Sequence, residues 1–213
     1  MIKCAIFDFD GTLVDSNNIK FETFFQVTKN IPNSKKLLER ILQEQSGDRY
    51  AIFKSLSNRL YRKYKISVND KNLCDEYTSI CEAKVSSAQS IKGSKDSLEK
   101  LKLMDLKLFV SSATPEETLV NIINKRGISH FFDGIFGAPN TKEMHIDHVM
   151  KLFDSNSSEV IYIGDSEADR VAANMSNCHF IGIGHDSSRF LIKPPILLKS
   201  LQDLPKSISL LES

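Results

Sequence analysis

Apolar runs of strand-like composition recur at residues 2–9, 106–110, 134–136, 160–163 and 179–183, and helix-like stretches separate the last four. Strands that alternate with helices pair in parallel, because each crossover helix must pack back on the sheet in a right-handed sense. The helical stretches carry their own start signals. Residues 115–125 open on Pro115 at a first helical position with Glu116 and Glu117 behind it. Residues 142–153 follow Thr141 as a candidate N-cap, and 167–175 follow Gly164-Asp165-Ser166.

The first two strands stand too far apart for one crossover. Between Ser16 and Ile91, the segments 21–29, 35–45, 49–64 and 71–85 place apolar residues three or four apart, with IPNS and ISVND as loops. IKGSKDSLEKLK then returns the chain through one more helix. The expected architecture is an α/β core with a parallel sheet, formed by residues 1–15 and 92–213. An all-helical domain, residues 16–91, is inserted after the first strand.

Bulk composition narrows the function classes. The 213 residues are 41% hydrophobic and 26% charged, the balance of a soluble globular chain with a sizeable core. Lys plus Arg number 28 against 27 Asp plus Glu, so a net charge of +1 gives no electrostatic case for nucleic acid. Cys4, Cys74, Cys81 and Cys178 are far apart, with no CxxC spacing, which fits a reducing cytoplasm. MIKCAIFDFD does not read as a signal peptide, and no apolar run approaches a membrane span. The expected setting is cytoplasmic, without a membrane.

The chemistry concentrates where strands end. The first run finishes in Asp8-Phe9-Asp10-Gly11-Thr12, and two carboxylates two residues apart on a strand point the same way and repel. Ligand sites of open α/β sheets lie at the carboxyl ends of the strands. The second run ends in Ser111-Ser112, Lys142 follows the third, and Asp165 and Asp169 follow the fourth. So many acids demand a cation, and oxygen-rich sites suit Mg²⁺. A lysine, a hydroxyl and backbone N–H groups then suit an anion, so phosphate is the natural substrate group.

DFDGTLVDS resembles the first signature of the haloacid dehalogenase superfamily, whose phosphatase members carry DxDG[TV]. LFVSS resembles the second signature, Lys142 the third, and IYIGDSEAD is similar to the fourth, GDxxxD. The resemblance covers residues 2 to 184 and implies a Rossmann-like core with an α-helical cap in the position of the insertion. It implies that Asp8 is the nucleophile forming an aspartyl-phosphate. Asp10 is then the acid and base, and its backbone carbonyl binds Mg²⁺. Asp165 would bind the metal directly and Asp169 its waters. Gly11, Thr12, Ser111 and Lys142 would hold the phosphate, with Ser112 replacing Ser111 if the strand register slips by one. Asp15 or Ser16 is read as a cap of the next helix.

Small phosphorylated metabolites, phosphoglycolate-like or sugar phosphates, are the expected substrates of a monomer or homodimer. In the insertion, Gly47 and Arg49 are candidates for contact with the substrate. Phosphomutases share this core but tend to carry an acid before the metal-binding Asp, where this chain has Gly164. A receiver-like domain would lack the long insertion, and a silent phosphate-binding module would not need the acids and Lys142 intact.

Overall fold

The β-branched and aromatic runs form six strands of one parallel sheet in this computed structural model, which describes residues 1–44 and 48–211. They are β1 (Cys4–Phe7), β2 (Lys107–Pro115), β3 (Gly134–Ala138), β4 (Val160–Gly164), β5 (His179–Ile183) and β6 (Ile196–Leu198). The order is β3-β2-β1-β4-β5-β6, a doubly wound arrangement whose direction reverses beside β1. The expected parallel α/β fold is therefore observed.

The helices are α1 (Asn17–Thr28), α2 (Ser34–Glu44), α3 (Arg49–Tyr64), α4 (Asp70–Ser86), α5 (Ser94–Leu103), α6 (Glu116–Lys125), α7 (Lys142–Leu152), α8 (Glu167–Met175) and α9 (Leu204–Leu211). The chain divides into two compact units, residues 17–85 and residues 1–16 with 86–213. In the first, Phe24, Phe53 and Tyr77 form an aromatic cluster with ring centroids 4.4–5.8 Å apart, around which the four helices bury Leu38, Ile41, Leu56 and Leu60. Asp48 caps α3 by accepting from the Ala51 N–H, and Lys65 ends it in the left-handed region at φ 56°.

Three elements differ from the sequence reading. Pro115 closes β2 and α6 begins one residue later, so the proline stands at the N-cap. β6 has only three residues and follows Pro195, too short for a periodic signal, and α9 follows it.

In the α/β unit, β1 pairs Cys4 with Lys107 and Val160, and Phe7 with Val110 and Ile163. Cys4, Ile6, Phe109, Val160 and Tyr162 share one buried cluster with Ile146 and Val149 of α7 and Ala172 and Ala173 of α8. Ala5, Phe7, Leu108 and Val110 alternate with them and are equally buried, as a sheet covered on both faces requires. Arg126, after α6, fixes the returning chain: its guanidinium donates to the carbonyls of Ser86 and Ala88 and to the Ser90 hydroxyl.

Asp133 anchors the start of β3. Its carboxylate accepts from the Leu108 N–H at 2.9 Å and pairs with Lys102 at 3.0 Å. Burial pushes its pKa up, but these partners and Lys107 outweigh that and hold it below the ordinary 3.8. A depressed carboxyl stabilises the fold above its unfolded pKa, and the contribution disappears as pH falls through the folded value. Asp133→Asn should therefore lower stability by about 1 kcal/mol at pH 7 and by much less near pH 3, read by urea denaturation at both values.

Candidate active site

Extending the β1 register by one residue sets Asp8 level with Ser111 on one side and Gly164 on the other, at the carboxyl edge of the sheet. The Asp8 N–H donates to the Ile163 carbonyl at 2.8 Å, so its backbone still belongs to the sheet while its side chain leaves it. Carboxylate oxygens of Asp8, Asp165 and Asp169 lie within 4.8 Å of one another, and all three residues are buried. Lys142 answers them. Its ammonium donates to Asp8 Oδ1 at 2.9 Å and to Asp169 Oδ1 at 2.5 Å.

Lys142 is the first residue of α7, where the helix dipole disfavours a cation, and only carboxylates at close range offset that. Burial alone would lower its pKa, but Asp8, Tyr162 and Asp169 carry it well above the ordinary value, so it stays protonated. Asp8 moves the opposite way from a usual ion-paired acid. Burial raises its pKa well above the ordinary range, and the carboxylates of Asp169, Asp165 and Asp10 add to that against the pull of Lys142. One lysine does not balance this cluster. Arg189, half exposed, contributes a second cation through an ion pair with Asp165.

The fourth acid is held apart. The Asp10 carboxylate accepts from the Ser16 hydroxyl at 2.6 Å, from Thr114 at 3.3 Å and from Ser112 at 3.4 Å. It does not join the three-carboxylate cluster found among the described residues. Ser16, with Asp15 one of the two cap candidates for α1, donates its hydroxyl proton to Asp10. Gly11 takes φ 81°, and its N–H closes the loop on the Val14 carbonyl at 2.7 Å. Thr12 is fully buried and its hydroxyl has no hydrogen-bond partner among the described residues.

Asp169 does two things. Its Oδ2 accepts from the Ser166 N–H and hydroxyl in a capping box at the start of α8, while Oδ1 meets Lys142. Gly164 makes that possible: a Cβ there would lie 2.3 Å from the Asp169 carboxyl carbon.

The two serines of β2 part company. Ser111 hydrogen-bonds His145 Nδ1 at 2.9 Å, and Ser112 faces Asp10. His145 is buried on α7, and its Nε2 lies 3.2 Å from the Gly137 carbonyl. Nothing in the sequence distinguishes this histidine from a core residue of an amphipathic helix. In the helical unit Arg49 is also buried. It donates to Thr78 at 2.8 Å and stacks over Tyr77, its guanidinium carbon 5.3 Å from the ring centroid. Gly47 lies outside the described residues.

Three buried carboxylates and a lysine thus meet at the switch point of a doubly wound sheet, where ligand sites of such folds lie. Residues 5–183 match the haloacid dehalogenase-like hydrolase family, and the chain belongs to that family. It is a phosphatase-like member. Phosphoglycolate phosphatase of Photorhabdus laumondii is 24% identical over 98% of this chain and 93% of its own length. In three dimensions it is similar to a predicted phosphoglycolate phosphatase from Haemophilus somnus, with TM-score 0.77, 19% identity and coverage of 97% and 98%. A magnesium-bound structure of YfnB from Bacillus subtilis gives TM-score 0.74, 18% identity and coverage of 97% and 98%.

Two outcomes follow from this geometry. Gly164→Ala should displace Asp169 from Lys142 and cost about 1–3 kcal/mol, seen as a melting temperature several degrees lower. An acid whose folded pKa is raised lowers stability once pH exceeds its unfolded value, and fully so above the folded one. Asp8→Asn in chelator-treated protein should therefore raise the melting temperature at pH 7.5, with the gain gone near pH 3.5. Differential scanning fluorimetry at both pH values checks this.

Proposed function

We propose that this chain is a Mg²⁺-dependent phosphatase that hydrolyses a small phosphorylated metabolite through an aspartyl-phosphate on Asp8. The observation that carries the reading is the division of the acid pair. Asp8 stands against Lys142 among buried carboxylates, whereas Asp10, two residues on, is held by three hydroxyls. Paired carboxylates in unlike environments take unlike roles.

In the first step an Asp8 oxygen bonds to phosphorus as the ester P–O bond breaks, and Asp10 gives its proton to the leaving oxygen. In the second, Asp10 takes a proton from water as that water attacks the phosphoryl group, which leaves as inorganic phosphate and frees Asp8. Lys142 offsets phosphoryl charge, and Gly11, Thr12 and the Ser111 or Ser112 hydroxyl complete the phosphate contacts. The unpartnered Thr12 hydroxyl supports a role of that kind. An all-oxygen donor set with more negative than positive charge fits Mg²⁺. Asp8, Asp165 and the Asp10 carbonyl would hold it and Asp169 its waters, and the ion would supply positive charge at the phosphoryl oxygens.

The phosphomutase alternative expects an acid where Gly164 stands, and the Asp169 carboxyl already fills that space. Residues 17–85 take the part of the substrate-selecting cap domain, with Arg49 as its candidate specificity residue. The named relatives make phosphoglycolate the first substrate to try, with sugar phosphates next. The four cysteines are free, which supports the reading of a reducing cytoplasm.

Phosphate release from a panel of metabolite esters tests the reading. Wild type should turn over in Mg²⁺ and stop in excess chelator. Asp8→Asn and Asp10→Asn should each lose at least about a thousandfold in kcat while staying folded. Mg²⁺ should also raise the wild-type melting temperature, and Asp165→Asn should lose that rise. Near wild-type turnover by Asp8→Asn would overturn the covalent route.

A further inference from the structure

His145 receives no role in the chemistry above, yet it is buried 2.9 Å from the hydroxyl of Ser111, one of the two serines proposed for the phosphate contact. Its ring is held from two sides. The Gly137 carbonyl can only accept, so Nε2 carries a hydrogen. With a neutral ring, Nδ1 is then an acceptor, and the Ser111 hydroxyl must donate its only proton to it. A hydroxyl turned that way offers an incoming phosphate lone pairs alone. If the ring gains a proton, Nδ1–H donates to Ser111 Oγ, and the serine proton is released to point at an anion.

The surroundings favour the neutral ring in the free protein. Burial holds the His145 pKa below its ordinary value against the Gly137 carbonyl, and Glu116 raises it while Lys142 and His148 lower it. From the packed elements, those charged groups come from α6 and from α7 itself, while Phe136 of β3 lies against the ring with centroids 5.6 Å apart. Extending the strand register sets Ser111 level with Asp8 on the neighbouring strand, about 4.8 Å away.

We propose that His145 is a positioning residue that sets the direction of the Ser111 proton, and that anion binding at Ser111 is coupled to uptake of one solvent proton by His145 Nδ1. The proposal rests on the phosphatase reading for the place of the anion. It also separates the two serines: Ser111 donates to phosphate only with a protonated His145 behind it, whereas Ser112 carries no such condition.

The test is nitrogen-15 NMR of the histidine side chains in full-length protein with Mg²⁺, titrated by pH with and without saturating inorganic phosphate. Free protein should show His145 as the Nε2–H tautomer at pH 7.5. Phosphate should raise its titration midpoint by about one unit or more. In Ser111→Ala, phosphate should leave the midpoint within a few tenths of a unit, because the hydroxyl that links ring to anion is gone.

An Nδ1–H tautomer in the free protein overturns the proposal. So does a midpoint unmoved by bound phosphate, or a shift of equal size in Ser111→Ala, which would trace to the anion's field alone. Protein that hydrolyses phosphate esters with an unmoved His145 overturns this inference and leaves the phosphatase reading standing. Protein that binds no phosphate overturns both.

Discussion

The contact between Lys142 and the carboxylates of Asp8 and Asp169 is the interaction on which the site depends. It joins the end of β1, the first residue of α7 and the first turn of α8. Each partner is in a place that ordinary folding preferences resist: a lysine at a positive helix end, and acids beneath the surface. Only their mutual proximity makes the three placements tolerable. The balance is incomplete, because Asp8, Asp10, Asp165 and Asp169 face only Lys142 and Arg189.

The sheet makes the contact possible. Parallel strands deliver all their carboxyl ends to one edge, and the reversal of strand order beside β1 opens a crevice between neighbouring loops. Gly164 shows how close the tolerances are. The last residue of β4 must lack a side chain because a carboxylate of the following helix occupies the space. The same carboxylate caps that helix, so the start of α8 and the position of Lys142 are set by one residue.

Much of this was legible in the sequence. The alternation of strands and helices gave the parallel sheet because β-branched runs and amphipathic periods differ in repeat. DFDGT, Lys142 and GDSEAD marked the acids and the lysine because they stand in order after successive strands and together resemble the signatures of one family. β6 stayed hidden because three residues after a proline carry no period, and Pro115 was misplaced because proline suits both a strand end and a helix start. The division of labour between Ser111 and Ser112 was not legible, since it depends on which face each strand residue presents and on what waits there. His145 was invisible for a related reason: its partners, Ser111 and Gly137, are distant in sequence or on another element. The Ser16 bond to Asp10 was likewise not legible, because no sequence pattern reveals which hydroxyl a loop carboxylate will meet.

The separation in sequence of the paired groups has a kinetic consequence. Lys142 and Asp8 are 134 residues apart, and the 69 residues of a separate helical unit lie between β1 and the rest of the sheet. β1 is the central strand, flanked by β2 and β4, so the sheet cannot close until that long loop has been gathered. Early compaction of the helical unit shortens the loop in effect, since a folded insertion with neighbouring ends closes at less entropic expense than a loose chain. Pairings this distant in sequence close later than the local contacts of the helices. The acid cluster spans one of the most distant of those pairings, so it needs the closed sheet before it can assemble.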